Sequence, residues 1–292
     1  KIIVKKNILL VLNPTAGSLN VELVLSKTKH WSQKLETQLK VYKTTGNNDE
    51  GKIKHLLNTG TYSRILVAGG DGTLKMVASV VIDTPIILGI LPYGSANGLA
   101  TSLAIPKDID QQLEIAFTKD AMDMDTILVN DVLCVHIADM GINAELIYNY
   151  EKTASSGMLG YALQVIPTLF KSGAPYDFKI SINDKVMKEK GVLLAFANAE
   201  KYGTGARINP DGKINDGKFE VILYKKLSIR EILKTFFKNW SVQKTSVATY
   251  STTSVSIGCK KPVPLQVDGE YIGEFKDFSA QINPKSLRVA VQ

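Results

Sequence analysis

The segment RILVAGGDGTLKMVAS (Arg64–Ser79) decides the fold of the first part of the chain. Its apolar run ends at two glycines, and a single carboxylate, Asp71, stands before a third glycine. From Thr73 onward the spacing of apolar residues is typical of a helix. A buried strand that passes through a glycine-bearing turn directly into a helix is typical of an α/β unit, with the turn at the carboxyl end of the strand.

The same pattern recurs along the first 124 residues. Three further segments each begin with an apolar run, and helical patterns separate them: NILLVLNP (residues 7–14), LKVYKTT (39–45) and PIILGILPYG (85–94). Near-continuous apolar runs alternating with helices predict a parallel sheet covered on both faces, so we expect a three-layer, Rossmann-type α/β domain over residues 1–124. Three of its strands end in glycine-bearing turns, which parallel strands bring to one edge.

From about Asp125 the pattern changes to short β-rich runs. Two-residue turn signals separate these runs at Asn130-Asp131, Asn183-Asp184 and Asp268-Gly269. Such dipeptides between strand-like segments predict hairpins. We therefore expect a second, mainly antiparallel β-sandwich domain over residues 125–292, with the boundary in TKDAMDMDT (118–126).

Composition narrows the class of protein. The 292 residues are 45% hydrophobic and 22% charged, with a net charge of +7. No apolar run reaches the roughly 20 residues that span a bilayer, and Cys134 and Cys259 lie far apart, so we expect a cytosolic protein with two reduced thiols. The net charge favours an anionic partner, but no basic stripe with interleaved aromatic residues indicates a nucleic-acid surface.

The glycine-bearing turns favour a phosphate site of an uncommon kind. One such turn can merely reverse the chain, but three at one edge, followed by helix N-termini, favour a phosphate cradle. The sequence has no G-x-x-x-x-G-K-[ST], no G-x-G-x-x-G after the first strand and no G-x-S-x-G, which excludes the common nucleotide-binding loops and a serine hydrolase elbow. The three histidines do not form a zinc-binding pattern.

These turns resemble the motifs of the diacylglycerol and sphingosine lipid kinases: NPTAG (13–17), VAGGDGTL (67–74) and LPYGSANGLA (91–100). The resemblance extends through NPDGKINDGKFEV (209–221) and VDGE (267–270), so it covers nearly the whole chain. GGDGT alone is shared with NAD kinases and phosphofructokinases. The resemblance implies an NAD kinase-like first domain, and an enzyme that transfers the γ-phosphate of ATP, with Mg²⁺, to a lipid alcohol in an interdomain cleft.

Gly70, Gly72 and Thr73 are suited to hold ATP phosphates through N–H and hydroxyl groups. The resemblance adds other positions on the neighbouring turns, although Thr45 could be only an exposed strand end and Asn97 could cap its own turn. The expected ATP-binding residues are Asn13, Thr45, Gly69, Gly70, Gly72, Thr73, Gly94, Ser95 and Asn97.

Three acids are candidates for the chemistry. Asp71 among glycines would repel phosphates unless it binds Mg²⁺ or accepts a proton, although an N-cap role is the structural alternative. The resemblance implies that Glu270 reaches across the interdomain cleft as a base or metal partner, and either acid could take the proton. It also makes Asp216, otherwise a turn residue, a ligand of a second, structural Mg²⁺.

Two positions depart from the family pattern. Bacterial diacylglycerol kinases often have Asn-Asp in the third turn, where this chain has Asn97-Gly98, a form more similar to the sphingosine and ceramide branch. An acid that helps to order metal-bound waters is therefore absent. Asn143 stands where an aspartate is common, and we do not count it among the site residues.

The substrate remains open among diacylglycerol, a sphingoid base, phosphatidylglycerol and other lipid alcohols. A helix predicted over residues 227–240 could lie on a membrane surface or pack on the second domain, and residues 155–170 could line an acyl-chain groove or fill the core. A homodimer is also open. The alternatives to a lipid kinase are an NAD kinase-like enzyme and a catalytically silent nucleotide or lipid sensor, the latter supported by Gly98.

Overall fold

A computed structural model describes residues 7–17, 19–151, 175–199, 209, 212–226 and 246–292, with the side chains of residues 149–151 excepted. The chain divides into two compact units. One comprises the described residues up to Met124 together with Lys285–Gln292, and the other comprises those within Asp125–Pro284. The division after Met124 falls inside the boundary segment that the sequence indicates.

The first unit is built on parallel strands in the order β2-β1-β3-β4. The expected strands all form, because their apolar runs fill the core on both faces of the sheet: the neighbours Leu9 and Leu10, whose side chains alternate between the two faces, are both fully buried. The elements are β1 (Asn7–Leu12), α1 (Val21–Lys34), β2 (Gln38–Lys43), α2 (Asp49–Thr59), β3 (Arg64–Gly69), α3 (Asp71–Val81), β4 (Ile87–Pro92), α4 (Gly98–Ser102) and α5 (Ile109–Thr118).

The helices lie in two layers, since α1 packs with α5 and α2 packs with α3. Side-chain caps begin two of them: the Asn20 carboxamide accepts the Leu23 amide at α1, and the Asp108 carboxylate accepts the Gln111 amide at α5. Such caps satisfy amides that have no partner inside the helix. The three-layer α/β prediction is confirmed.

The last residues of the chain return to the first unit. Arg288 and Val289 pair in parallel with Ile87 and Leu88 of β4, and the Asp83 amide donates to the Ser286 carbonyl. The sequence analysis placed residues 285–292 in the second domain, and the structure differs at this point. A final strand of ordinary β character carries no local signal for the sheet that it joins, because pairing depends on distant residues.

The second unit is mainly antiparallel, as expected. Its strands follow the order β12-β11-β10-β7-β13-β14, with β8 and β9 added at β13, and β5 and β6 forming a further hairpin. Its elements are β5 (Ala121–Val129), β6 (Val132–Cys134), β7 (Ile137–Gly141), α6 (Ile142–Glu151), β8 (Tyr176–Ile182), β9 (Lys185–Gly191), β10 (Leu193–Ala197), β11 (Phe219–Tyr224), β12 (Val247–Thr252), β13 (Ser254–Val267) and β14 (Glu270–Ala290), of which the first and last begin or end in the other unit.

The three predicted hairpin turns are confirmed. In each, two residues with positive φ connect strands that pair directly on either side, as in Val267 with Glu270. Asp268 and Gly269 have φ angles of 54° and 87°. Positive φ at both positions matches the right-handed twist of the paired strands, which is why Asn, Asp and Gly occupy them.

Both cysteines are free, as expected, and Cys134 is buried. Among the described helices, none combines the length and apolarity needed to cross a bilayer. The helix predicted over residues 227–240 and the apolar segment 155–170 lie outside the described residues.

Candidate functional site

The three glycine-bearing turns of the first unit meet at the carboxyl ends of β1, β3 and β4. A methyl group added at Gly94 would lie 2.5 Å from the Gly70 Cα atom, and one added at Gly17 would lie 2.8 Å from the Tyr93 carbonyl oxygen. At Gly69 it would lie 2.8 Å from the Thr73 side chain. The turns therefore pack backbone against backbone, and glycine is required for this approach rather than for chain reversal alone.

Side-chain hydrogen bonds join the first turn to the second. The Asn13 carboxamide donates to the Thr73 hydroxyl at 3.1 Å, and its oxygen accepts the Thr15 amide at 3.0 Å and the Thr15 hydroxyl at 2.9 Å. Two predicted site residues that are 60 positions apart are thus in direct contact. No side chain caps α3 at Gly70, so the amides of Gly72 and Thr73 lie at a helix N-terminus suited to an anion.

Asp71 links the second turn to the third. Its carboxylate accepts the Gly98 amide at 2.8 Å, at the beginning of α4. Burial raises the pKa of Asp71 above its usual range, and hydrogen bonds from the backbone at Gly98, Asn97 and Leu99 oppose that shift. The carboxylate of Asp71 thus caps the beginning of α4 rather than that of its own helix, α3. Because its pKa is raised, the same carboxylate is also a better proton acceptor.

The third turn is held by Asn97. Its side-chain oxygen accepts the Gly94 amide at 2.8 Å, and its side-chain nitrogen donates to the Gly94 carbonyl at 2.7 Å. Both ends of the carboxamide are hydrogen-bonded within the turn, so holding the turn is a sufficient structural role for Asn97. Ser95, in the same turn, is exposed. A small pocket between the strand ends and the first turns of α3 and α4 is lined by Gly70, Asp71 and Asn97, among others.

Thr45 belongs to a fourth turn, after β2, that a buried acid organises. The Asp49 carboxylate accepts the amides of Thr45 and Gly46, the Thr45 hydroxyl at 3.0 Å and the Tyr42 hydroxyl at 2.5 Å. Burial alone would raise the pKa of Asp49, but the hydrogen bonds from Tyr42, Thr45 and Gly46 outweigh it and lower the pKa to about 2. The sequence analysis missed Asp49, although an acid in the first helical turn after TTGNN is a usable capping signal.

The other two predicted acids belong to the second unit. Glu270 is exposed and begins β14 directly after the Asp268-Gly269 turn. Asp216 is also exposed, and its carboxylate accepts the Lys218 amide at 3.1 Å, as expected of a turn residue. The fully buried Asp125 holds the same loop, because its carboxylate accepts the Gly217 amide at 2.6 Å.

Comparison with known families now adds to this geometry. Residues 7–129 match the model of the diacylglycerol kinase catalytic domain, and residues 138–291, more than half of the chain, match that of the YegS C-terminal NAD kinase beta sandwich-like domain. The chain belongs to the diacylglycerol kinase and YegS-like lipid kinase family. The β-sandwich expected for the second domain is thereby confirmed.

Relatives of this lipid kinase family member are similar over most of their length. It is 24% identical to the diacylglycerol kinase of Bacillus subtilis over 90% of this chain and 89% of that one. It is 25% identical to the protein named "Probable lipid kinase YegS" of Escherichia coli, over 77% of this chain and 76% of that one. A crystal structure of a diacylglycerol kinase from Bacillus anthracis has a TM-score of 0.76, at 16% identity, covering 98% and 97% of the two chains, and shows the same fold.

The donor set at Asp71 is compatible with Mg²⁺. Within the described parts of the chain, no three His, Cys, Asp or Glu side chains are grouped as metal ligands. Mg²⁺ does not need such a cage, since it keeps several waters and binds through one or two carboxylates together with substrate phosphates. A lone carboxylate beside helix N-termini suits a metal that arrives with a polyphosphate.

Proposed function

We propose that this protein transfers the γ-phosphate of ATP, with Mg²⁺, to the hydroxyl of a lipid alcohol of the diacylglycerol or sphingoid-base class. The observation that carries this proposal is the close packing of three glycine turns around Asp71, within the part of the chain that matches the diacylglycerol kinase catalytic domain. Backbone amides, a helix N-terminus and one half-buried carboxylate are the groups that phosphoryl transfer from a metal-bound nucleotide requires.

In this proposal, the first unit holds the nucleotide. The amides of Gly70 and Gly72 and the hydroxyl of Thr73 bind phosphate oxygens, and Asn13 keeps that hydroxyl in place through its 3.1 Å hydrogen bond. Gly94 contributes by the absence of a side chain, which leaves the third turn packed against Gly70. Ser95, Asn97 and Thr45 border the same strand ends and complete the nucleotide site. Steric exclusion supports this role, because any side chain at Gly94 would fill the space next to Gly70.

Asp71 and Glu270 are the proposed acid pair. Mg²⁺, when bound, would neutralise charge on the transferring phosphate. Asp71 would hold that Mg²⁺ through its carboxylate, which the Gly98 amide fixes in place. Either Asp71 or Glu270 removes the proton from the lipid hydroxyl. Asp216 is proposed as the ligand of a second, structural Mg²⁺, supported by its exposed carboxylate on a loop anchored by Asp125.

The lipid acceptor brings the protein to a membrane surface in this proposal.

The test is transfer of radiolabelled phosphate from [γ-³²P]ATP with Mg²⁺ to diacylglycerol, sphingosine, ceramide and phosphatidylglycerol in mixed micelles, with NAD as a soluble acceptor. We expect one lipid product. Labelled NADP would identify an NAD kinase instead, and nucleotide binding without any labelled product would identify a sensor.

A further inference from the structure

Glu270 is an exposed acid on an unusually well-anchored hairpin. Its side chain is exposed, whereas Gln266, on the same hairpin, is only 1% exposed. Residues 266–271 combine a tight two-residue turn with contacts from β7 and α6. An exposed glutamate needs no such anchoring for solubility, so the contacts around it call for another role.

The first anchor is the carboxylate of Asp268. It accepts the amides of Val135 and His136 at 2.9 Å each and that of Ile137 at 3.2 Å. The Asp268 amide in turn donates to the Ile137 carbonyl at 2.9 Å. The two oxygens of one carboxylate therefore satisfy three consecutive amides, from the end of the β6–β7 connection to the first residue of β7. The turn before Glu270 is thereby fixed to that part of the chain.

The second anchor runs through Gln266 to a buried acid. The Gly269 amide donates to the Gln266 side-chain oxygen at 2.8 Å, and the Gln266 side-chain nitrogen donates to Asp139 at 2.5 Å. Asn143 also donates to the same Asp139 oxygen, at 2.7 Å. Because a carboxylate only accepts hydrogen bonds, Asp139 orients the Gln266 amide so that its oxygen faces the residue before Glu270.

The third anchor follows Glu270. Tyr271 packs on Tyr148 of α6 with the ring centroids 4.6 Å apart. The backbone is thus held before Glu270 by the side chains of Gln266 and Asp268 and after it by an aromatic pair. The point from which the Glu270 side chain extends is therefore fixed.

We propose that Asp139, Gln266 and Asp268 are positioning residues that fix the Glu270 carboxylate for phosphoryl transfer. This inference rests on the proposed function, in which Glu270 takes part in the reaction. It also explains Asn143, the position at which the family commonly has an aspartate: its amide donates to Asp139, and a second carboxylate could not donate.

The first test variant replaces the amide of Gln266 by an acid. Gln266→Glu places a second carboxyl against Asp139, and at a pH at which both carboxyls are ionised, repulsion between them turns the pair apart. We expect kcat per folded molecule to fall by about 10–100-fold, since misplacing a reacting group by about 1 Å has costs of this size. The KM for ATP should change less than about twofold, because the proposed nucleotide site lies in the other unit.

The second variant separates positioning from loss of fold. Asp139→Asn combined with Gln266→Glu restores one donor and one acceptor with their positions exchanged, and should recover most of kcat. A matched control is Asn183→Gly, which removes the side-chain hydrogen bonds of the β8–β9 turn to Ser251 and Thr252 while tolerating its positive φ. It should lower stability and leave kcat unchanged.

Glu270→Gln is the benchmark. If it lowers kcat strongly and Gln266→Glu leaves kcat per folded molecule unchanged, the positioning role is wrong while the proposed function stands. If the double variant stays as impaired as Gln266→Glu although it is folded, the positioning role is also wrong. If Glu270→Gln retains full kcat, the proposed role of Glu270 fails instead, and the inference fails with it.

Discussion

The strand-end turns of the first unit and the β13–β14 hairpin of the second hold their candidate acids in different ways. Around Asp71 the contacts are largely backbone against backbone, with Gly70 against Gly94 and the Gly98 amide on the carboxylate. Around Glu270 they are made by polar side chains, namely the buried Gln266 and the half-buried Asp268. The glycine turns pack so closely that their backbones are in contact, with hydrogen bonds from Asn13 and Asn97 added, whereas the hairpin tip depends on the side chains of Gln266 and Asp268.

This difference has a mechanical consequence. A backbone-packed site tolerates changes of side-chain polarity but no added volume, because glycine leaves no space. A site held by buried polar groups tolerates small changes of volume but no loss of a partner, since an unsatisfied buried group is costly. The predictions that follow test the two behaviours, from the largest expected effect to the smallest.

Asp71→Asn should lower the rate of phosphate transfer to lipid by about 10²–10⁴-fold, the range for loss of an acid–base group. Its amide oxygen can still accept the Gly98 amide, so the fold should persist. Steady-state transfer rates and circular dichroism measure the two effects. Asp110→Asn, which breaks the surface ion pair with Lys27, is the control and should leave the rate unchanged.

Asp49→Asn tests the turn after β2, which a buried side chain organises. Hydrogen bonds to a charged group contribute about 1.5–3 kcal/mol, so urea unfolding at pH 7 should show a loss of this size. The folded pKa of Asp49 is about 2, below its usual 3.8. Its contribution is therefore complete above pH 3.8 and is lost as the pH falls through 2.

The difference in unfolding free energy between wild type and Asp49→Asn should accordingly shrink between these two pH values. A difference that stays constant down to pH 2 would show that the charge of Asp49 does not stabilise the turn. In that case no charged side chain would hold the turn after β2. The contrast with the β13–β14 hairpin would then extend to all four strand-end turns of the first unit.

Gly94→Ala should destabilise the protein by about 1–3 kcal/mol, the usual cost of overpacking, because the new methyl group would lie 2.5 Å from the Gly70 Cα atom. Gly258→Ala is the matched control, since the nearest atom to its methyl group is an Asp277 oxygen at 3.7 Å. Chemical denaturation of both variants measures the difference. Equal stability of the two would remove the argument that the glycine turns are sterically closed.

Asp216→Ala should change the unfolding free energy by less than about 0.5 kcal/mol, because its side chain is exposed and accepts a local hydrogen bond from the Lys218 amide. If Asp216 is a metal ligand as proposed, the Mg²⁺ concentration required for half-maximal transfer should rise several-fold. An unchanged Mg²⁺ dependence would leave Asp216 as a turn residue only.

The two regions also differ in how far they were predictable from sequence. The glycine turns and the three two-residue hairpin turns were predicted because their signals lie within a few consecutive residues. The polar side chains that hold the β13–β14 hairpin were missed because their partners are far away in the sequence. Gln266 and Asp139 are 127 positions apart, and Asp268 and His136 are 132 positions apart. A polar residue in a strand is otherwise taken as solvent-facing, since alternation carries no information about cross-strand partners.

Hydrogen–deuterium exchange with and without ATP and Mg²⁺ tests most directly the claim that the packed glycine turns hold the nucleotide phosphates. The account predicts slower exchange on nucleotide addition in peptides that contain residues 13–17, 70–74 and 94–98. Adenosine should produce less protection there than ATP, because it lacks the phosphates. ATP protection confined to other peptides, with these three unaffected, would contradict the account.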